Sequence, residues 1–184
     1  MVPKQHIHKN IIEACKEGKE SARYELYQLY ARAMFNVSYR MMNNREEAED
    51  MLQESFTLAF MKIDSYRFES SFGAWLKRIV INTCINTINK RKVELSYCEE
   101  IYEHDRAEEN EEAEPEYTVE NITRAMEQLP EGGRMIFSLY LLEGYDHVEI
   151  AQILGINEST SKSQYMRARK RIAEVLRSQK MSGF

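Results

Sequence analysis

DHVEIAQILGINESTSKSQYMRARKRI, residues 146–172, is the stretch whose reading decides the fold. Asp146 with Glu149 three positions on is a capping pair, since each carboxylate can accept from a backbone N–H that a first helical turn leaves unpartnered. Val148, Ile150, Ala151 and Leu154 then fall on the inward face of a short helix. Gly155 supplies the positive φ that ends it, Ile156 fills the corner, and Asn157 caps a second helix. Together these make a helix-turn-helix. The second helix opens with Ser159, Thr160, Lys162 and Ser163, small or polar enough to let its backbone approach base edges in a major groove. It continues into Arg167, Arg169, Lys170 and Arg171, and between Ser161 and Lys180 seven basic residues stand against one acidic residue. That is the charge expected where phosphates are neutralised. The plainer alternative is an amphipathic helix with a solvated basic face.

Working outward, the 184 residues include only seven Gly and three Pro, with long stretches of Ala, Glu, Leu, Met, Arg and Lys. Such a composition predicts an all-α protein. The net charge of -5 is unevenly spread: residues 1–98 carry 15 basic and 12 acidic side chains (+3), residues 99–116 carry 1 and 10 (-9), and residues 117–184 carry 9 and 8 (+1). The glutamate-rich stretch cannot bury enough apolar area to offset its ordering entropy, so it reads as an acidic flexible linker. We therefore expect two small helical domains, 1–94 and 118–184, joined by a linker over 95–117. The apolar periodicity predicts helices over 9–19, 21–42, 45–63 and 72–91 in the first domain, and over 117–128, 131–143, 147–154 and 158–178 in the second.

Cys15, Cys84 and Cys98 are odd in number and lack C-x-x-C spacing, which suits reduced thiols in a cytoplasmic protein. His6 and His8 form an isolated pair, so no metal site and no cofactor is expected. No apolar run approaches the length of a membrane span, and direct membrane insertion is not expected. Without a glycine-rich phosphate loop or a nucleophile-base pairing, the sequence offers no enzymatic centre.

In the first domain, Asn44 with Glu47 resembles a capping box, after which Ala48, Met51, Leu52, Phe56, Ala59, Phe60 and Ile63 recur on one apolar face. Asp50, Gln53, Glu54 and Thr57 are left on the other side, a stripe that by default is only a solvated face. Asp64 to Ser71 breaks the pattern, and Ser70 or Ser71 can cap the next helix. That helix, FGAWLKRIVINTCINTINKRK, turns Leu76, Ile79, Val80 and Ile88 to the core and Arg78, Asn82, Asn86 and Asn89 or Lys90 to another face. Each asparagine costs roughly half a kcal/mol of helix propensity against Ala, and their donor and acceptor pairs suit base edges. Beside them, Tyr66 and Phe68 in the loop are the aromatic planes best placed to stack on unpaired bases, while Phe72 and Trp75 read as core rings.

At this point a family resemblance is evident. EEAEDMLQESFTLAFMKIDSYRFESSFGAWLKRIVINTCINTINKRK, residues 46–92, resembles region 2 of extracytoplasmic-function (ECF) sigma factors of the sigma-70 family. MEQLPEGGRMIFSLYLLEGYDHVEIAQILGINESTSKSQYMRARKRI, residues 126–172, is similar to their region 4. The resemblance implies a transcription initiation factor that binds core RNA polymerase and directs it to promoters. Asp50, Gln53 and Glu54, with Thr57 on the same stripe, match the surface that docks on the β′ clamp helices. The 64–71 loop, with Asn82 on the helix behind it, matches the family's pocket for a base flipped from the melted minus-ten element, and we expect Tyr66, Phe68, Arg78, Asn86 and Lys90 to contact the same DNA. Lys162, Ser163, Met166 and Arg167 match positions that read the minus-thirty-five duplex, with Ser159, Thr160 and Arg171 beside them. Further partners implied are the polymerase β flap and an anti-sigma factor, the latter because family domains that could mask the chain from within are not found in it. Gly132 and Gly133, Ser161 in place of a frequent Val, and Gln164 in place of a frequent Arg depart from the usual pattern. Two other readings remain: a stand-alone helix-turn-helix regulator, and a helical adaptor that contacts only proteins.

Overall fold

The computed structural model describes residues 7–95 and 118–181, and the expected acidic linker, His6 and Cys98 lie outside them. Among the described residues there are eight α-helices and no strands. The chain divides into two compact units, Met1–Leu95 and Ser96–Phe184.

The first unit contains α1 (Lys9–Lys16), α2 (Glu20–Met42), α3 (Arg45–Met61) and α4 (Phe72–Leu95). Helix α1 ends before its expected limit because Gly18 turns to φ +85, and α2 starts at once after Lys19. Asn43, at φ 54, closes α2, and Asn44 accepts from the Glu47 backbone N–H at 3.1 Å to start α3. Only that half of the expected capping box forms, because the Glu47 carboxylate reaches Arg91 on α4 at 3.0 Å instead. A short 3-10 turn, Ile63–Ser65, follows α3. Of the two serines that could cap α4, Ser71 does so, accepting from the Ala74 N–H at 3.2 Å. Helix α4 packs on α2 and α3, with Leu76, Val80, Ile81, Cys84 and Ile88 buried. Burying a side chain of this size fully contributes about 1.5–3 kcal/mol each.

The second unit contains α5 (Val119–Met126), α6 (Glu131–Phe137), α7 (His147–Leu154) and α8 (Glu158–Met181). Helix α6 widens into a π-helical turn over Ser138–Leu142, where one regular helix was expected. Helix α8 supplies Ala168, Ile172, Val175 and Leu176 to a core shared with Met126, Leu129 and Phe137. Gly133 is buried there, and a β-carbon on it would stand 3.6 Å from that of Ala168, so the space would admit alanine.

Candidate nucleic-acid interface

In the second unit the local chemistry of residues 146–172 produces the expected corner. Asp146 accepts from the Glu149 N–H at 2.8 Å while Glu149 accepts from the Asp146 N–H at 2.9 Å, a complete capping box. Gly155 at φ 66 ends α7. Ile150 and Ala151 face inward, but Val148 does not, being 48% exposed. In an eight-residue helix it lies about 200° around the axis from the buried Ile150.

The opening of α8 presents Ser159, Lys162 and Ser163 to solvent, with Thr160, Met166 and Arg167 half-exposed and Arg171 exposed further along. Lys162 is held by Glu158 at 2.7 Å and Arg171 by Glu174 at 3.2 Å. Exposed pairs of this kind are worth less than about 1 kcal/mol, so a phosphate can replace the carboxylate. Beneath this surface Ser161 is fully buried, and its hydroxyl meets His147 Nδ1 at 2.9 Å. The His147 ring stacks on Tyr140, with centroids 4.4 Å apart and planes at 13°. The polar Ser161 thus links α8 to the first turn of α7, a pairing that periodicity alone does not reveal.

The first unit carries two polar surfaces. Asp50, Gln53, Glu54 and Thr57 are all exposed along one stripe of α3, and the Thr57 hydroxyl donates to the Gln53 carbonyl at 2.9 Å. On α4, the exposed positions from Ala74 to Lys90 are Ala74, Arg78, Asn82, Asn86 and Lys90, each four residues from the next. Lys90 therefore completes the row, whereas Asn89 is half-buried.

Next to Arg78 lies a hollow of about 400 Å³ lined by Ser65, Tyr66, Arg67, Glu69, Ser70, Trp75 and Arg78. The aromatic assignment needs correcting here. Tyr66 is only 3% exposed, its ring enclosed by Phe68, Phe72 and Trp75 and its hydroxyl donating to the Ser70 carbonyl at 2.6 Å. Burial pushes its phenol pKa up, with Tyr30 adding to the shift, so it stays protonated as a donor. A ring so enclosed supports the hollow but offers no open face for stacking. Trp75, read as core, is half-buried on the hollow's wall, while Phe72 is buried as expected. Phe68 is half-buried, with the Lys16 ammonium 5.0 Å from its ring centroid. Among the described residues no cluster of three or more His, Cys, Asp or Glu could hold a metal ion, and no helix is long and apolar enough to cross a membrane.

Comparison with known proteins gives two family matches, "Sigma-70 region 2" over residues 26–93 and "Sigma-70, region 4" over residues 119–172. ECF RNA polymerase sigma factor SigW of Bacillus subtilis is 29% identical over 180 residues, covering 92% of this chain and 96% of the relative. ECF RNA polymerase sigma factor SigM of the same organism is 30% identical over 151 residues, 80% of this chain and 91% of the relative. Among solved structures, the sigma factor RpoE of Bartonella quintana, in complex with the anti-sigma factor NepR, matches with a TM-score of 0.53 at 24% identity, covering 84% of this chain and 96% of that one. CnrH, in complex with the cytosolic domain of CnrY, matches with a TM-score of 0.51 at 18% identity, covering 91% and 96%. At these identities the two structures speak for a shared all-helical fold.

Proposed function

This chain belongs to the ECF RNA polymerase sigma factors of the sigma-70 family and so serves transcription initiation, and from that premise we propose how its surfaces divide the work. The first unit, with the expected boundary near residue 94, binds core RNA polymerase through Asp50, Gln53, Glu54 and Thr57. It takes the melted minus-ten strand along Arg78, Asn82, Asn86 and Lys90, with one base entering the hollow beside Arg78. Trp75, rather than the enclosed Tyr66, is the stacking plane, and Phe68 shapes the rim. The second unit reads the minus-thirty-five duplex with Ser159, Thr160, Lys162, Ser163, Met166 and Arg167, while Arg171 holds a phosphate.

The observation that carries this reading is the row on α4. Its neighbours are buried or half-buried, yet the exposed positions from Arg78 to Lys90 are two asparagines flanked by two cations. Two asparagines in midhelix are a poor choice for stability. They are a good one for base edges, since each offers a donor and an acceptor, while the cations at either end suit a strand's phosphates. Extruding a base costs a few kcal/mol, which stacking in a pocket can offset.

The role is positional: polymerase holds both contacts on one DNA, and the second becomes intramolecular once the first is made. An anti-sigma factor is the proposed regulator, in keeping with NepR, the anti-sigma factor bound to RpoE in the structure of similar fold. The test is run-off transcription with core RNA polymerase and a library of promoter fragments. The expected result is initiation from a subset sharing two short elements at one spacing. Tight, sequence-specific binding of duplex without polymerase, and no initiation, would favour a stand-alone regulator.

A further inference from the structure

We infer that Lys16, on α1, is a positioning residue for single-strand recognition, clamping the loop between Ile63 and Ser71 in the shape that leaves the hollow open. The inference rests on the proposed single-strand role of the first unit. Its physical basis is a contact that joins the beginning of the chain to the loop. Lys16 Nζ donates to the Tyr66 backbone carbonyl at 2.8 Å, across 50 residues of sequence. The same ammonium lies 5.0 Å from the centroid of the Phe68 ring, and Lys9 contributes a second at 5.8 Å. Between those two anchors sits Arg67, which lines the hollow together with Glu69, Trp75 and Arg78.

The backbone explains why a clamp is needed. Phe68 has φ +60, a left-handed conformation that a bulky residue adopts only where its surroundings enforce it. Tyr66, packed against Phe72 and Trp75, fixes one side of the loop from within the unit. Lys16 fixes the other, binding the carbonyl of residue 66 and the ring of residue 68 with one charged group. A cation over an aromatic face is attracted by the ring quadrupole, and a charge-assisted bond to a carbonyl is stronger than a neutral one. Release of both would let Phe68 relax toward an ordinary φ, and the loop would swing with it. Lys16 itself is absent from the hollow's lining, so it acts through the loop.

The test uses the full chain bound to core polymerase and a single-stranded DNA library randomised over six positions, with bound strands recovered and sequenced. Wild type is expected to enrich one base strongly at one position or more. Lys16→Met is expected to lower that enrichment roughly tenfold, the scale of one lost charge-assisted hydrogen bond. Polymerase affinity should stay at its wild-type value while the thermal midpoint falls by only about the few degrees that one lost hydrogen bond costs, and Lys16→Arg, which keeps a cationic donor, should retain most of the preference. Unchanged enrichment by Lys16→Met, beside a selective wild type, overturns the clamp and leaves the single-strand reading standing. A wild-type complex that enriches no base overturns both. Parallel loss of polymerase affinity and base preference in Lys16→Met would mark a residue serving the whole unit's fold, and also overturns the clamp.

Discussion

Glu47 shows how one carboxylate is drawn between two duties. It stands where it could return a hydrogen bond to the Asn44 backbone, yet it pairs with Arg91 and ties the start of α3 to the far end of α4. Both side chains are about a third exposed or more, so solvent screens the pair and Arg91→Ala should cost less than about 1 kcal/mol in urea unfolding. A larger loss would mean the pair organises more than its own contact. On the same helix Asp50 is exposed, so Asp50→Arg should abolish polymerase binding in a fluorescence titration while far-ultraviolet circular dichroism stays unchanged. Retained binding would move the docking surface elsewhere. Cys84 makes a different kind of prediction. Burial pushes its thiol from 9.0 up to about 12, with a backbone hydrogen bond opposing the shift. The folded state therefore holds its proton more tightly than the unfolded chain, so this contribution is complete below about pH 9 and fades as pH rises toward the folded value. Stability should fall across that alkaline window, and less steeply in Cys84→Ala, as read from urea midpoints at about pH 8 and 10.5.

Helix boundaries were legible where they depend on a few adjacent residues. Asn44, Ser71 and Asp146 all cap as expected because a cap is local chemistry. Removing the box with Asp146→Ala should cost about 1 kcal/mol in the transition of the second unit, and unchanged unfolding would show that packing alone sets the start of α7. What stayed hidden depends on partners far away in sequence. Tyr66 sits in a loop that reads as solvent-facing until α4 brings Phe72 and Trp75 around it. The Lys16 contact spans 50 residues and has no local signature. The π-helical turn likewise escapes a 3.6-residue period, and it accompanies the exposure of Leu141 and Leu142, which are 48% and 37% exposed. The row on α4 was legible apart from its last member, where periodicity could not separate Asn89 from Lys90. Asn82→Ala should impair promoter melting, followed with a fluorescent base analogue, more than it impairs duplex binding. Equal loss of both would contradict a base-reading role.

At the scale of the whole molecule, the division into two units makes covalent connection part of the mechanism. In the proposed division of labour each reads a short element, so each alone should hold DNA weakly. If polymerase is to engage both at once, the chain between them must supply a high effective concentration of the second unit. Fragments 1–95 and 118–184 added together should support promoter initiation about 10²- to 10⁴-fold less well than the intact chain at equal concentration. Equal activity in run-off transcription would show that polymerase recruits each piece independently.

The spacing of the row on α4 has a geometric corollary. Four residues advance a helix by about 6 Å and overshoot a full turn by about 40°, so from Arg78 to Lys90 the row climbs about 18 Å while rotating about 120° about the axis. It is a spiral rail. A strand lying straight alongside would touch only part of it, so one that engages all four side chains must coil as it goes, and the pitch of an ordinary helix would then be a template for the curvature of that strand.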